Sequence, residues 1–322
     1  MSQDDAEELF HYLMRRHSIA PDDLILLLKT VSSLSSKKRY YQAALLRQTL
    51  KEAALVAQAC GWRGVAVLRD GEVFVDEDGA LLRTDVDDRL LRKPGISQAA
   101  RMLGELHAWG IDPKIILDLG ANLGEISIYF AHRLPHARVV AFEPAPENLA
   151  AFDRNLAVQR RPLVNLELIR EAVSDRSGQI EFIAGAGDLN TAMVEGNLKR
   201  LKRRAKSADV VKVPSDTLEN YCARLGIGDI DFLKIDIEGG EPLLGPSIAR
   251  MAGRIGAAYV EISRFNSLEA YVGLVAAFDQ AGLTMLVDRV PVQNAEACFR
   301  EALAAKSVIN VWFVRNDHLP PS

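Results

Sequence analysis

Residues 115–125 read Ile115-Ile116-Leu117-Asp118-Leu119-Gly120-Ala121-Asn122-Leu123-Gly124-Glu125, and Glu143 follows 23 residues after Gly120. A short apolar run ends in glycines that must turn tightly. A helix-like segment comes next, and a second apolar run, Ala137 to Phe142, ends in an acid. This is the pattern of a strand–turn–helix–strand unit. An acid at the tip of its second strand suits the two hydroxyls of a ribose.

The glycines themselves narrow the ligand. The dinucleotide fingerprint places a central glycine where the backbone approaches a pyrophosphate, and here that position is Asn122 with no third glycine after it. A P-loop would need Lys and Ser or Thr after its last glycine, whereas Gly124 is followed by Glu125. An acid at a helix N-terminus suits the dipole but repels phosphate. The loop reads as built for an adenosine-bearing group without phosphates. S-adenosylmethionine meets that description, and Asp118 at the strand end could accept from its ammonium.

A second stretch runs Asp231-Phe232-Leu233-Lys234-Ile235-Asp236-Ile237-Glu238-Gly239-Gly240-Glu241. It is another buried-strand pattern that terminates in charge, and ligands of open α/β sheets bind outside the carboxyl ends of the strands. Together with Phe142-Glu143-Pro144 and the glycine loop, it resembles the FkbM family of S-adenosylmethionine-dependent methyltransferases, from about Pro113 to Glu261 and more weakly to Arg315. The resemblance implies an α/β fold, a Rossmann-like class I methyltransferase sheet. That sheet is mostly parallel with its last strand antiparallel, and helices cover both faces.

The rest of the chain sets bounds. Its 322 residues suit one large or two modest domains, and 48% are apolar, enough for a substantial core. A formal net charge of −4 carries no general nucleic-acid signature and weighs against a nucleic-acid partner. Cys60, Cys222 and Cys298 are scattered without metal-site spacing, which suits a reducing compartment. The acidic first residues lack the features of a signal peptide, and no apolar run is long enough to span a bilayer. The expectation is a cytoplasmic protein without a membrane span.

Residues 4–58 read as helical, with apolar positions at Leu9, Leu13, Leu24, Leu27 and Leu28, and Tyr41 to Ala59 is rich in good helix formers. The period then changes. Val65, Val67, Val73 and Val75 flank Arg69-Asp70-Gly71, which predicts a hairpin over about 64–76. Residues 80–96 read as polar loop, and Ser97 to Trp109 as a helix capped by Ser97 and stopped by Gly110. We therefore expect a mainly helical region over 1–110 and a methyltransferase domain over 111–318. In the second part, strands are expected near 115–119, 138–142, 166–170, 179–183, 209–213, 231–235, 257–262, 283–289 and 308–314. Helices are expected near 124–132, 146–157, 215–224, 241–252 and 267–281.

Roles follow from the chemistry and the resemblance. Asp118, Gly120, Asn122 and Gly124 are expected around the methionine part of the cofactor, and Glu143 on its ribose. Glu171 and Ala172 lie where the fold usually meets adenine, while Asn148 could simply cap or brace the following helix. Methyl transfer requires an aligned acceptor and, for a hydroxyl, a base. Asp236 is the first candidate for that base, and it also borders the cofactor; Glu238 and Glu261 come second. Lys234 pairs with one of these acids in either a catalytic or a purely structural role. Asp236 and Glu261 could instead hold a divalent metal such as magnesium. Glu241 reads better as a helix N-terminal acid.

The leading expectation is O-methylation of a hydroxyl on a sugar, glycan or natural product, so the partner is a small-molecule or glycan acceptor. Asn190-Thr191 could approach that acceptor. The block from Lys199 to Lys206 is either a solvated helix face or a grip on an anionic acceptor. An RNA methyltransferase using 199–206 is the enzyme alternative, although no Asn-Pro-Pro-aromatic motif and no Pro-Cys pair is present. An inactive cofactor-binding module is a third reading. Residues 1–110 could form a recognition cap, a homodimer arm or a docking region. The six histidines, among them His107, His132 and His136, show no ligand spacing and receive no role.

Overall fold

A computed structural model describes residues 67–69, 72–77, 80–83, 86–87, 90–91, 96–159, 161–184, 191–192, 209–262, 267–304 and 309–319. The helices expected over 4–58, Asp70-Gly71 of the hairpin turn, Asn190 and the basic block 199–206 lie outside the described residues. The chain divides into two units, residues 1–97 with 155–162, and residues 98–154 with 163–322.

In the first unit Val67–Arg69 pairs antiparallel with Glu72–Glu77, with Arg69 opposite Glu72, as the hairpin expectation required. Residues 80–96 are not simply loop. Ala80–Arg83 adds a third strand to that hairpin, and Val86–Asp87 pairs with Leu90–Leu91. Leu81 and Leu82 inside the polar run were the overlooked signal.

The second unit is the larger. Its elements are α1 (Ile96–Ala108, whose first two residues fall in the other unit), β1 (Ile115–Leu119), α2 (Glu125–Arg133), β2 (Arg138–Phe142), α3 (Pro146–Ala157, whose last three residues fall in the other unit), β3 (Leu166–Ile169), α4 (Leu218–Leu225), β4 (Ile230–Ile235), α5 (Gly245–Arg250), β5 (Ile255–Ile262), α6 (Leu268–Gln280), β6 (Leu283–Val287), α7 (Ala295–Ala304) and β7 (Ile309–Arg315). The sheet order is β6-β7-β5-β4-β1-β2-β3, with the short strand Val290–Pro291 hairpinned onto β6. β5, β4, β1, β2 and β3 run parallel, and β7 lies antiparallel between β5 and β6. This is the expected mostly parallel sheet with its last strand reversed.

Both sheet faces are covered. Asp118, Lys234, Tyr259 and Trp312 stand in one cross-strand row. α2 packs on that face through Phe130 against Phe232, and Trp109, just past α1, packs on Trp312. On the other face, Tyr221 of α4 meets Phe142 and Phe278 of α6 stacks on Phe313 at 3.9 Å. β1, β4 and β5 are buried on both faces, which explains why they read as continuous apolar runs rather than alternating ones. The strand order reverses beside β1, so a crevice opens at the carboxyl ends of β1 and β4.

Several expected boundaries are corrected. The strands expected at 179–183 and 209–213 do not join the main sheet. Gly178–Ala184, Asp209–Asp216, Thr191–Ala192 and Ala172–Val173 form a separate four-stranded sheet. The strand at 209 continues to Asp216, so α4 starts at Leu218, capped by Thr217 Oγ1 accepting from Asn220 N. Ser97 lies inside α1 rather than capping it. The segment 241–252 splits into the 3-10 turn Glu241–Leu244 and the short α5. Helix α7 was not foreseen, although Asn294 caps it by accepting from Ala297 N at 2.9 Å. Among the described residues no helix is long and apolar enough to cross a membrane.

Candidate active site

The loop after β1 is fixed by backbone geometry. Gly120 N and Ala121 N donate to Phe142 O at 3.0 and 2.9 Å, so the loop turns over the end of β2. Gly120 has φ +78°, and a Cβ there would lie 1.9 Å from the carbonyl oxygen of Asp236. The glycine lets the loops after β1 and β4 touch. Asn122 takes φ +52°, a left-handed conformation that Asn tolerates better than most residues. Gly124 has φ +84°, and a Cβ there would meet the Phe152 ring at 2.7 Å. We expect Gly124→Ala to lower stability by about 1–3 kcal/mol, read by chemical denaturation, because the ring and the backbone must both give way.

Glu143 anchors this loop from β2. Its Oε2 accepts from Asn122 N at 2.8 Å, and its Oε1 accepts from Ala145 N at 2.9 Å and Asn148 Nδ2 at 3.2 Å. Asn148 thus braces Glu143 rather than its own helix. A carboxylate offers about four acceptor directions, so roughly one remains for a ligand hydroxyl.

Asp118 and Lys234 meet under the loop. Asp118 is fully buried; its Oδ2 accepts from Ser127 Oγ at 2.6 Å and its Oδ1 lies 3.0 Å from Lys234 Nζ. A cofactor ammonium would have to displace Lys234 to reach it, so the expected direct contact through Asp118 does not fit this geometry. Lys234, 2% exposed, also donates to Gly120 O at 3.0 Å and lies 3.5 Å from Asp236 Oδ2. It joins the loop, the buried aspartate and the strand-tip aspartate.

Beyond Lys234 the acids cluster. One carboxylate oxygen from each of Asp236, Glu238 and Glu261 lies within 4.8 Å of the others. Glu238 stands at φ +52°, strained for a residue with a side chain. Glu241 was expected only to favour a helix dipole. Instead its buried Oε1 accepts from Ile237 N at 3.2 Å and Gly239 N at 3.0 Å, shaping the loop that presents Glu238. Its Oε2 has no hydrogen-bond partner among the described residues.

Burial raises several of these carboxyls. It pushes Glu143 and Glu241 up to about 7; burial and then the Asp236 charge push Glu238 to about 8 and Glu261 to about 7. In the folded chain they hold protons that an unfolded chain releases near pH 4.5. Their contribution to stability is complete below that pH and is lost as pH rises through the folded values. We expect the melting temperature contributed by this set to fall between about pH 5 and about pH 8. Glu241→Gln should flatten the slope; an unchanged slope would remove Glu241 from the set.

A pocket opens on the other side of the β1 loop. It is lined by Gly120, Phe142, Glu143 and Pro144, by Glu171, Ala172 and Val173 past β3, and by Ile237, Gly240 and Leu243 past β4. Glu171 is held at its edge, with Oε2 accepting from Tyr221 Oη at 2.8 Å and Arg224 Nη2 at 3.1 Å. Apolar walls with two acids in the lining suit a nucleoside rather than a phosphate. Sequence reasoning missed Ile180 and Phe182, which also line the pocket, and Tyr259, whose hydroxyl accepts from Gln98 and Arg101 of α1. Asp236, Glu238, Glu261 and Lys234 are brought together. Thr191 pairs with Ile183 in the small sheet.

Residues 118–271 match the family model described as the methyltransferase FkbM domain. Over 138 residues the chain is 30% identical to 2-O-methyltransferase NoeI of Sinorhizobium fredii, covering 40% of this chain and 55% of that protein. It is 32% identical over 148 residues to Methyltransferase sdnD of Sordaria araneosa, covering 39% and 57% respectively. A third relative, Methyltransferase 1 of Beauveria bassiana, is 24% identical over 140 residues, covering 40% and 56%. This chain spans a little over half the length of these curated relatives.

Proposed function

We propose, from the match of residues 118–271 to the methyltransferase FkbM domain, that the chain transfers a methyl group from S-adenosylmethionine to a hydroxyl of a sugar, glycan or natural product. We place the methyltransferase domain at 111–318, with 1–110 preceding it. One observation carries the reading. A pocket with apolar walls and with Glu143 and Glu171 in its lining abuts the carboxylate cluster through the contact of Gly120 with Asp236. The hydroxyl acceptor draws further support from the relative whose name is 2-O-methyltransferase.

In this reading the cofactor, when bound, supplies an electrophilic methyl group on a sulfonium. The chain does the rest. Gly120 lets the β1 loop touch the Asp236 backbone and Gly124 lets it pack on Phe152, which fixes the loop, and Glu143 takes a ribose hydroxyl with its remaining acceptor direction. Glu171 and Ala172 meet the base. Asp118 and Lys234 position the loop and the strand tip rather than touching the ligand. Asp236 takes the proton of the acceptor hydroxyl, and Glu261 and Glu238 flank it. The test is transfer of labelled methyl to a panel of sugars. Label in a hydroxyl of one of them, absent with Asp236→Asn, supports the reading. Label in RNA alone, with salt-sensitive RNA binding, would favour the nucleic-acid alternative.

The three clustered carboxylates also have the all-oxygen donor chemistry of a magnesium-type cation. Asp236, Glu261 and Glu238 would hold it, and it would orient and polarise the acceptor hydroxyl. Lys234 competes for Asp236 at 3.5 Å, so binding would be weak. On this second reading chelation abolishes turnover and magnesium restores it. Full turnover in excess chelator would leave the carboxylates acting as bases only.

A further inference from the structure

We propose that the small four-stranded mixed sheet between β3 and β4 is part of the cofactor site, with Ile180 and Phe182 forming the wall against which a purine base lies. This deepens, and rests on, the S-adenosylmethionine reading. Both side chains line the pocket, two residues apart on strand Gly178–Ala184 and therefore on one face of it. Val213 and Val211 of the neighbouring strand stand directly opposite Ile180 and Phe182. Phe182 is 6% exposed and packs in a core of its own with Val213, Ala145 and Ala172. The wall is thus continued sideways by Val211 and Val213 on the same sheet face and is not a loose flap.

The sheet is also tied to the pocket rim by hydrogen bonding. Its strand Asp209–Asp216 pairs parallel with Ala172–Val173, and Ser174 N donates to Asp216 O at 3.0 Å. The same two residues therefore close the sheet and border the pocket. The chemistry that fits is a flat, apolar face with a polar edge. Ile180 and Phe182 offer the surface for the face, while Glu171 and the Ala172 backbone lie where an edge would be read. A purine base has that shape, and aromatic side chains are effective surfaces for one.

The test uses the full chain with two probes, S-adenosylhomocysteine and 5′-methylthioadenosine, by calorimetry. The second probe keeps base and ribose and lacks the amino-acid group. Phe182→Ala and Ile180→Ala should each weaken both probes by about tenfold or more, with unchanged far-ultraviolet dichroism. Wild-type affinities in the folded variants would overturn the wall, as would a loss confined to S-adenosylhomocysteine. If Phe182→Ala does not fold, the half-buried Ile180→Ala and the milder Phe182→Leu decide the matter by the same criterion. Failure of the wild-type chain to bind either probe would overturn the cofactor reading itself, and the wall with it.

Discussion

Lys234→Met should destabilise the chain by about 3–5 kcal/mol, because it breaks a buried ion pair and leaves a charge behind. Lys234 and Asp118 are both almost wholly buried, with Nζ 3.0 Å from Oδ1. Burial alone would drive the ammonium toward its neutral form, but Asp118 and Asp236 together hold it protonated, above the usual lysine range. Without it, Asp118 keeps only the Ser127 hydroxyl among the described residues, and Gly120 O loses its donor. Asp118→Asn added to Lys234→Met should recover part of the loss, since it removes the orphaned charge. Urea denaturation of the two single variants and the double variant measures this. A cost below about 1 kcal/mol for Lys234→Met would mean that the pair does not hold the strand ends together.

Asp236→Asn should lower kcat by about 10²- to 10⁴-fold, the usual contribution of a positioned base, while leaving cofactor affinity nearly unchanged. The side chain of Asp236 is 25% exposed, against 1% for Asp118, so an acceptor can reach it. Of the three clustered acids it is the one within ion-pair distance of Lys234 among the described residues. Glu238 and Glu261 are the members that take up protons near neutrality. Asn keeps the shape and removes the proton acceptor. Full activity in Asp236→Asn would move the base to Glu261 or Glu238, whose Gln variants should then carry the loss.

Much of this arrangement was legible in the sequence because it depends on local signals. The apolar runs of β1, β2 and β4, the glycine turn and the acid after β2 lie within a few residues of one another, and all took their expected places. The reversed β7 followed the resemblance. What failed depended on partners far along the chain. Asp118 looked like a ligand contact until β1 and β4 paired in register, placing it opposite Lys234. Nothing in an apolar run announces such a pair. The strands at 178–184 and 209–216 carry the same alternation as strands of the main sheet. Only their antiparallel pairing with each other, Gly178 opposite Ser215, separates them. Glu241 followed a Glu-Gly-Gly run that fits a helix start equally well, and its bonds to Ile237 N and Gly239 N required the folded loop.

The measurement that bears most directly on the central claim is calorimetric titration of S-adenosylmethionine into the wild-type chain and into Glu143→Ala. Glu143 both fixes Asn122 and faces the pocket, so its truncation should disturb the site twice. Micromolar binding by the wild-type chain, lost in a folded Glu143→Ala, is the expected result. No binding by the folded wild-type chain, or equal binding by both, would contradict the account.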